Sequence, residues 1–387
     1  IMKNPKTSKT SKTSKTLRPD GYQYIDILKN HVGGDFGNIF NGEKLIYPRQ
    51  MEVHLPGDRT TPCNFNCYYC QGKLLNQPLG QWEEKGLRLM EQLKGKIPYY
   101  IYGGAYVEPL LNKYLLDYLQ LTKKYGNNFG IHSNGSLLSE LEEEKGFCSQ
   151  LVELADSRLD YISISLDAGN TESHRKTKNI EDDWFSKIIE GIKLLTSLRG
   201  DKRFPMIRIC YLMNKFNSSE GEISNIVAIM KDVGVNSLRF SVPYDLYGKK
   251  FDEVRKYRNK FEIPYGEECA KVVRPFLSKS PTEKPFIFWH PPGFQDVDKM
   301  CFKQCIYSYY QITFASDGMV YKCSSTAAPS FPSMQLGEIT DEIDEFNAMV
   351  KANHNPNWDA ETCFSKGARC NRIALEINDL WNKGKLK

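Results

Sequence analysis

The sequence predicts an α/β fold, an open or partial (β/α)6 barrel, followed by a small C-terminal domain. From about residue 50, six short β-prone runs alternate with five amphipathic helical stretches. Such alternation implies parallel strands joined by right-handed crossover helices. After about residue 290 the alternation of strands and helices ends at Pro291-Pro292-Gly293, and cysteines become frequent. We therefore expect one barrel and one smaller unit after it.

Each element of the barrel is indicated by its residue pattern. The predicted strands are Met51–Leu55, Tyr99–Tyr102, Phe129–His132, Tyr161–Leu166, Met206–Leu212 and Ser237–Val242. The predicted helices lie near 82–94, 109–125, 137–155, 183–199 and 217–232. In 109–125, apolar residues recur at helical spacing and predict one buried face. In folds of this kind the functional site lies at the C-terminal ends of the strands.

The two ends of the chain differ from the barrel in composition. The Lys/Thr/Ser repeat within residues 1–16 has no apolar face to bury, which predicts disorder. Near the other end, Asp317-Gly318 separates Tyr309–Ser316 from Met319–Cys323, a pattern typical of a β-hairpin. The predicted divisions are a tail at 1–16, an N-terminal extension at 17–47, a barrel at 48–290 and a cysteine-rich domain at 291–387.

Charge and cysteine content exclude several functional classes. The formal charge is +5, and the six positive charges that precede Asp20 account for all of it. The folded part is thus nearly neutral, which argues against a nucleic-acid or membrane surface. The chain has no transmembrane run and no signal peptide, so its eleven cysteines favour metal or redox chemistry over disulfides. We expect a cytoplasmic location.

Three cysteines stand in one short loop after the first predicted strand. The run Cys63-Asn-Phe-Asn-Cys67-Tyr-Tyr-Cys70 offers three thiolates within eight residues. Such a set can ligate three irons of a [4Fe–4S] cluster and leave the fourth iron open. A structural zinc site and a redox pair are the alternatives. Zinc favours four ligands in paired short spacings, and a Cys-x-x-Cys pair would leave Cys63 unexplained.

The cysteine spacing, together with the aromatic Tyr69, resembles the signature of the radical S-adenosylmethionine (SAM) superfamily over about residues 48–243. The resemblance implies that superfamily's partial TIM-like barrel and two cofactors, a [4Fe–4S] cluster and SAM. It implies reductive cleavage of SAM to a 5′-deoxyadenosyl radical, with flavodoxin or ferredoxin as the electron donor. It also implies that Tyr69 packs near the adenine. The cofactors carry out the chemistry, and the protein positions them and excludes water.

A glycine pair follows the second predicted strand. The run from Gly103 and Gly104 to Glu108-Pro109 is similar to the superfamily's Gly-Gly-Glu-Pro, with three residues inserted before the glutamate. By resemblance, these residues contact the methionine amino group, although the insertion departs from the pattern. The alternative is a glycine turn and a helix start with Pro109 in the first position.

Segments at the next two strand ends resemble those that line the ribose and the methionine carboxylate. They contain Ser133-Asn134-Gly135 and Ser163–Asp167. Ser165 and Arg175 are the predicted carboxylate contacts. A hydroxyl bonded to nearby backbone is the alternative for Ser165, and a solvated basic loop is the alternative for Arg175.

Further polar residues follow other strand ends. Arg208 and Asn214 could also reach the cofactor, although an inward arginine satisfied by an acid is an equal interpretation. A position in the core or on the surface is the more common role for residues of these types. The pocket candidates are Tyr106, Tyr244, Asp245, Trp289 and His290.

A second cysteine set follows the predicted barrel. The spacing Cys305-x12-Gly318-x4-Cys323 resembles the opening of the auxiliary-cluster domains called SPASM and twitch, but the dense cysteine run of a full SPASM domain is missing. The resemblance implies one auxiliary [4Fe–4S] cluster with Cys301 as a competing ligand, and a four-thiolate zinc site is the alternative. The expected ligands are Cys305, Cys323, Cys363 and Cys370. The scattered Cys148, Cys210 and Cys269 are expected to be buried small hydrophobes.

The predicted function is an oxidoreductase or lyase of the radical SAM type. The favoured substrate is a small polar molecule, similar to a sugar or aminocyclitol, dehydrogenated or dehydrated in biosynthesis. The alternative is a peptide maturase that crosslinks or epimerises a ribosomally made peptide. We favour the small substrate because only Leu17–Leu45 precedes the barrel, which is short for a leader-recognition domain. An electron carrier is disfavoured because it needs no barrel. No general base can be named.

Overall fold

The computed structural model describes residues 45–70, 78–104, 107–243, 263–290, 305, 307–354 and 382–384. The strands are β1 Gln50–Val53, β2 Tyr99–Tyr102, β3 Asn128–Ser133, β4 Tyr161–Ser165, β5 Met206–Leu212, β6 Ser237–Ser241, β7 Phe286–Trp289, β8 Gln311–Phe314, β9 Met319–Tyr321 and β10 Gln335–Glu338. The helices are α1 Glu83–Leu93, α2 Leu115–Lys124, α3 Leu138–Lys145, α4 Phe147–Leu154, α5 Thr171–Lys178, α6 Trp184–Arg199, α7 Glu220–Val233, α8 Ile263–Val273, α9 Tyr307–Tyr310 and α10 Ile343–Asn353.

The strands form one sheet in the order β10-β9-β8-β1-β2-β3-β4-β5-β6-β7. Strands β1 to β7 pair in parallel, which confirms the predicted α/β fold with crossover helices. The six predicted strands are all present, and β7 adds a seventh that the sequence pattern did not reveal. The C-terminal ends of these strands therefore lie along one edge of the sheet.

The predicted hairpin is present, but it continues the sheet of the barrel. Strands β8 and β9 pair antiparallel, while β8 pairs in parallel with β1 from Gln311 to Phe314. Ile312 and Phe314 are buried in the same hydrophobic core as Met51 and Val53 of β1. Strand alternation therefore places one face of β8 under the helices of the barrel. The predicted boundary at 290 adjoins residues outside the described part and stays a prediction.

Two helical stretches differ from their predicted form. The stretch 137–155 forms two helices, because Gly146 adopts a left-handed conformation with φ 65° and ends α3. Gly146 has no side chain to oppose this conformation. Arg175, for which a solvated basic loop was the alternative interpretation, lies in helix α5, Thr171–Lys178. A capping box between Asn170 and Ser173 fixes its start. No helix in the described ranges is long and apolar enough to cross a membrane.

Candidate active site

The three-cysteine loop follows β1 and is held against the end of α5. The backbone N–H of Asn66 donates to Lys178 O at 3.2 Å, and that of Tyr68 donates to Thr177 O at 3.4 Å. Within the loop, the Cys70 N–H donates to Cys67 O at 3.0 Å. All three cysteines are half-buried. Helix α5 therefore fixes the backbone that carries the thiols.

The protein around the loop raises the pKa of two of its thiols. Burial, with the charge of Glu108, raises the pKa of Cys63 to about 12. Burial also raises the pKa of Cys67, and the ammonium of Lys178 opposes that rise. The thiolate charges of Cys67 and Cys70 also raise the pKa of Cys63, and that of Cys70 raises the pKa of Cys67. A cation bound here would therefore favour the deprotonated forms of Cys63 and Cys67.

Tyr69 lies in a buried polar cluster at the end of β4, the Tyr69–Asp167–Lys178 cluster. Its hydroxyl donates to Asp167 Oδ2 at 2.5 Å. The ammonium of Lys178 donates to that same oxygen at 2.6 Å, to the hydroxyl at 3.0 Å and to the backbone oxygen of Ser165 at 2.8 Å. Although burial opposes it, the Asp167 carboxylate raises the pKa of Lys178. The cluster connects the cysteine loop to the end of β4, because Tyr69 of the loop is hydrogen-bonded to the buried ion pair of Asp167 and Lys178.

Glu108 lies beside the cysteine loop despite the inserted residues. Gly104 and Val107 form an isolated antiparallel bridge, which brings together the chain on the two sides of residues 105–106. The N–H of Glu108 then donates to Pro62 O at 2.8 Å, next to Cys63. The inserted residues therefore do not carry the glutamate away from the loop.

The buried carboxylate of Glu108 is held by the segment after β3. It accepts hydrogen bonds from Ser133 Oγ at 2.6 Å and from the backbone N–H of Asn134 at 2.7 Å. Burial raises its pKa to about 7. The side chain of Asn134 in turn donates to Asn64 Oδ1 at 2.8 Å and approaches the sulfur of Cys63 at 3.7 Å. Residues from the ends of β2 and β3 thus border one side of the loop.

Gly103 is required by the close approach of β2 and β3. Its φ is +121°, and a Cβ there would lie 2.3 Å from the backbone oxygen of His132. No L side chain fits that space or adopts that conformation without strain. The glycine therefore brings the end of β2, and with it Glu108, against the end of β3.

The family comparison identifies the core of this arrangement. Residues 59–223 match the family model described as the Radical SAM superfamily. Residues 59–223 are thus similar to a radical SAM domain. The match covers the cysteine loop, Glu108, the ends of β2 to β5 and helix α5. Proteins of that superfamily are enzymes that use SAM and a [4Fe–4S] cluster.

Solved structures support the fold of the radical SAM domain. Streptococcus suis SuiB bound to precursor peptide SuiA matches with a TM-score of 0.53 and 13% identity, over 79% of this chain and 65% of that chain. SuiB bound to S-adenosylmethionine matches with a TM-score of 0.52 and 14% identity, over 82% of this chain and 69% of that one. This chain thus spans slightly less than two thirds of the first SuiB structure. No curated protein sequence matches the chain.

The thiols of the cysteine loop fit the cluster that the likeness implies. Among the described residues, no three His, Cys, Asp or Glu side chains converge as the ligands of one metal ion would. Thiolates on three separate irons of a cube need not converge on a point. Soft thiolates are also the ligands that iron–sulfur clusters use. Cys63, Cys67 and Cys70 are therefore a suitable donor set.

Arg175 and Asn214, which were also predicted to contact the cofactor, differ in their exposure. Arg175 lies on the exposed side of α5, whereas Lys178, one turn later, is buried. Asn214 is buried and donates to Leu212 O at 3.1 Å and to Thr177 Oγ1 at 3.4 Å, contacts that shape the turn after β5. The position of Lys178 was missed because residues 171–178 were not recognised as a helix. The signal was available, since Asn170 and Ser173 form an N-terminal capping pattern.

Ser165 and the pocket candidates are only partly described. Ser165 is half-buried, and its backbone oxygen accepts the bond from Lys178. Trp289 and His290 are half-buried at the end of β7. The other three pocket candidates lie outside the described residues: Tyr106, Tyr244 and Asp245.

The second cysteine set is likewise partly described. Cys305 and Cys323 are half-buried on either side of the β8–β9 hairpin. Burial lowers the pKa of Lys322, and the Cys305 thiolate partly offsets this effect, which places Cys305 near the neighbour of Cys323. The remaining members, Cys301, Cys363 and Cys370, lie outside the described residues.

The three isolated cysteines are all buried, as predicted. Cys148 and Cys269 are buried in the main core, as expected. Cys210 is also buried, but it lies on the inner side of β5, and its sulfur is 3.0 Å from Ser163 Oγ. Its environment is therefore more polar than expected.

Proposed function

We propose that the chain binds a [4Fe–4S] cluster and cleaves SAM reductively, generating a radical that abstracts a hydrogen atom from a peptide substrate. The observation that supports this proposal best is the contact of Glu108 and Asn134 with the three-cysteine loop. A glutamate that the sequence separates from the glycine pair by three residues still borders the loop. The residues for the cluster and for SAM thus adjoin one another.

Cys63, Cys67 and Cys70 hold the cluster in this proposal. When bound, the cluster supplies the electron that splits SAM into methionine and a 5′-deoxyadenosyl radical. Deprotonation of the thiols accompanies binding, because burial otherwise keeps Cys63 protonated. The electron comes from a flavodoxin- or ferredoxin-like donor.

The SAM contacts come from strand ends. Glu108 accepts hydrogen bonds from the methionine ammonium, and this positive charge favours the ionised carboxylate. Gly103 and Gly104 let the backbone approach closely. Tyr69 borders the adenine, held by the Tyr69–Asp167–Lys178 cluster.

The remaining contacts follow β3 and β4. Ser133 and Asn134 hold Glu108 and border the ribose. Ser165 binds the methionine carboxylate, while exposed Arg175 is a weaker candidate for the same role.

The peptide substrate is supported by the likeness to SuiB, which has been captured with the precursor peptide SuiA. This support favours the peptide over the small polar molecule that the sequence suggested. Deuterated peptides and deuterated sugars, turned over anaerobically, separate the two classes. Deuterium in 5′-deoxyadenosine should come from a peptide. Transfer from sugars alone would reverse the assignment.

An auxiliary cluster is the second part of the proposal. Cys305 and Cys323 would bind it together with Cys363 and Cys370, with Cys301 as the competing fourth ligand. The proximity of Cys305 to Lys322 supports a common site for the first two. Replacement of Cys323 by Ala should lower the iron content by about one cluster while SAM cleavage continues. Unchanged iron would remove this part of the proposal.

The cysteine loop is tested with Cys67→Ala. We expect loss of 5′-deoxyadenosine formation with dithionite, and an iron content lower by about one cluster, because a thiolate ligand is gone. Cys269→Ala, a buried cysteine on α8, is the matched control and should keep both. Retained cleavage in Cys67→Ala, or a purified protein with zinc and no acid-labile sulfide, would refute the radical mechanism.

A further inference from the structure

The end of β1 carries a buried histidine that the proposed SAM contacts do not use. Met51 and Val53 of β1 point into the core under the helices. Because strand side chains alternate, Glu52 and His54 point to the opposite face, inside the barrel. The side chain of His54 is 1% exposed. The N–H of Gly103 donates to Val53 O at 3.0 Å, which brings the end of β2 beside this histidine.

The imidazole ring of His54 lies against the backbone of Gly104. A Cβ added at Gly104 would be 2.5 Å from both Cγ and Cδ2 of His54, and 2.6 Å from Nδ1. Nearly equal distances to three ring atoms place this point over the face of the ring. Non-bonded carbon atoms pack at about 3.5–4.0 Å. No side chain therefore fits at this glycine while the ring of His54 holds its position.

The two glycines after β2 are required for different reasons. Gly103 has a φ of +121°, and its Cβ position is 2.3 Å from the backbone oxygen of His132. The φ of Gly104 is not positive, so its backbone is not in the left-handed region that favours glycine. The three atoms nearest to its Cβ position all belong to the His54 ring. At Gly104 the space is thus limited by a side chain, and at Gly103 by backbone.

Hydrogen bonds hold the ring of His54 in this orientation. Its Nε2 is 2.8 Å from Oε1 of Glu52. The other carboxylate oxygen, Oε2, accepts a hydrogen bond from Nε2 of Gln311 at 2.8 Å. Gln311 in turn accepts one from the side chain of Gln50 at 3.1 Å. Polar networks whose members are satisfied rigidify the groups they contain. This network runs from β8 through β1 to the ring under Gly104.

We propose that His54 is a positioning residue for SAM binding. The face of its ring sets where the backbone of Gly103 and Gly104 lies, and Glu52 and Gln311 set the orientation of the ring. The contact between ring and glycine involves no cofactor, whereas its consequence for SAM rests on the proposed function. Because Gln311 belongs to β8, the C-terminal hairpin becomes part of the support of the SAM site.

The contact is tested first by NMR in the cluster-free protein. Glycine labelled with carbon-13 at its α carbon makes the α protons of the glycines visible, and Gly104→Ala identifies the signal of Gly104 by its loss. A proton above the face of an aromatic ring is shielded, so one α proton of Gly104 should resonate well upfield of the other. His54→Ala should abolish this difference. Equal shifts of the two protons in the unmodified protein would overturn the proposal.

SAM binding tests the consequence of the contact. The dissociation constant of SAM is measured by equilibrium dialysis on cluster-reconstituted variants without reductant. We expect Gly104→Ala and His54→Ala each to weaken binding at least about tenfold, because the glycine turn is displaced. In the double variant, the new methyl group occupies space that the ring has left. Its loss of affinity should therefore be at least about tenfold smaller than the product of the two single losses.

Losses that simply multiply in the double variant would mean that the two residues act independently, and the proposal would be wrong. Parental affinity in His54→Ala would refute it as well. Gly103→Ala is the matched control. Its obstacle is the backbone oxygen of His132, so His54→Ala should not improve SAM binding in that background. Equal recovery there would indicate a general loosening of the site. Thermal unfolding checks that each variant is folded.

Variants of Glu52 test the orientation of the ring. Glu52→Ala should reduce the separation of the Gly104 α-proton signals and weaken SAM binding. Glu52→Gln keeps an oxygen for the ring nitrogen and should retain most of both. Identical behaviour of the two variants would contradict the orienting role of the carboxylate. If the unmodified protein bound no SAM, the proposed function would fail, and the glycine signals would still decide whether His54 contacts and orders Gly104.

Discussion

At the scale of single residues, two buried ionisable groups define the candidate site. Lys178 and Asp167 form an ion pair whose side chains are 2% and 0% exposed. Asp167 also accepts a hydrogen bond from the backbone N–H of Leu212 at 2.7 Å. An intact buried pair of this kind contributes little to the free energy of unfolding. Removal of one partner lowers that free energy strongly, because the other charge stays buried without a partner.

Removal of Lys178 tests the Tyr69–Asp167–Lys178 cluster. We expect Lys178→Met to lower the free energy of unfolding by about 3–5 kcal/mol, because the charge of Asp167 stays buried. Urea denaturation measures the change. The double variant Lys178→Met with Asp167→Asn should recover part of the loss. A single variant as stable as the parent would show that the ion pair is dispensable.

Glu108 makes stability depend on pH. Burial raises its pKa to about 7, above the ordinary value of 4.5 that applies in the unfolded chain. The folded chain without SAM therefore binds an additional proton between these values. The resulting stability, at most about 3 kcal/mol, is fully present below pH 4.5 and is lost as the pH rises through about 7.

The variant Glu108→Gln isolates this contribution. From pH 5 to pH 8, the unfolding free energy of the parent should fall relative to that of the variant. Only the parent must bury a negative charge at the higher pH. Urea denaturation at both pH values gives the shift. A constant difference would mean that Glu108 ionises freely in the folded chain.

At the scale of elements, helix α5 positions the cysteine loop. Its last turn accepts two backbone hydrogen bonds from the loop. Its start is fixed by Asn170, whose side chain accepts a bond from the Ser173 N–H at 2.9 Å. The stability of one short helix is thereby coupled to the placement of three thiols.

The coupling predicts an effect at a distance. We expect Asn170→Ala to destabilise α5 by about 1 kcal/mol through loss of the cap. The amide of Tyr68, which donates to Thr177, should then exchange with solvent several-fold faster. Hydrogen exchange measured by NMR reports both changes. Glu172→Ala, exposed on the same helix, is the control. Unchanged exchange at Tyr68 would show that the loop holds its position without the helix.

At the scale of the whole molecule, one sheet joins the barrel to the hairpin that follows it. Phe314 of β8 is buried beside Trp82, with ring centres 6.0 Å apart, and beside Phe346 of α10 at the same separation. These rings belong to the main core. The C-terminal strands therefore stabilise the edge of β1, from which the cysteine loop starts.

This continuity predicts that a change in β8 weakens the barrel. We expect Phe314→Ala to cost about 3–5 kcal/mol, because it leaves a cavity in the shared core. Amide protection in β3, for example at Ile131, should fall with it. Phe331→Ala, in a separate small cluster, is the matched control and should leave that protection unchanged. Full protection at Ile131 in Phe314→Ala would indicate two independent units.

The sequence by itself determined the parallel strands and the cysteine loop. Strand and helix periodicities come from the backbone, so neighbouring residues suffice to predict them. The ligand spacing of Cys63, Cys67 and Cys70 is likewise local. The same reasoning missed β7, and it missed α5 although Asn170 and Ser173 carry its N-terminal capping signal.

Only the tertiary structure decided which distant residues meet. It returned Glu108 to the loop past an insertion, exposed Arg175 and buried Lys178, and paired β8 with β1. It also placed the ring of His54 against Gly104. These outcomes depend on contacts between residues far apart in the chain, and their energies arise only when packing excludes water and brings charges together.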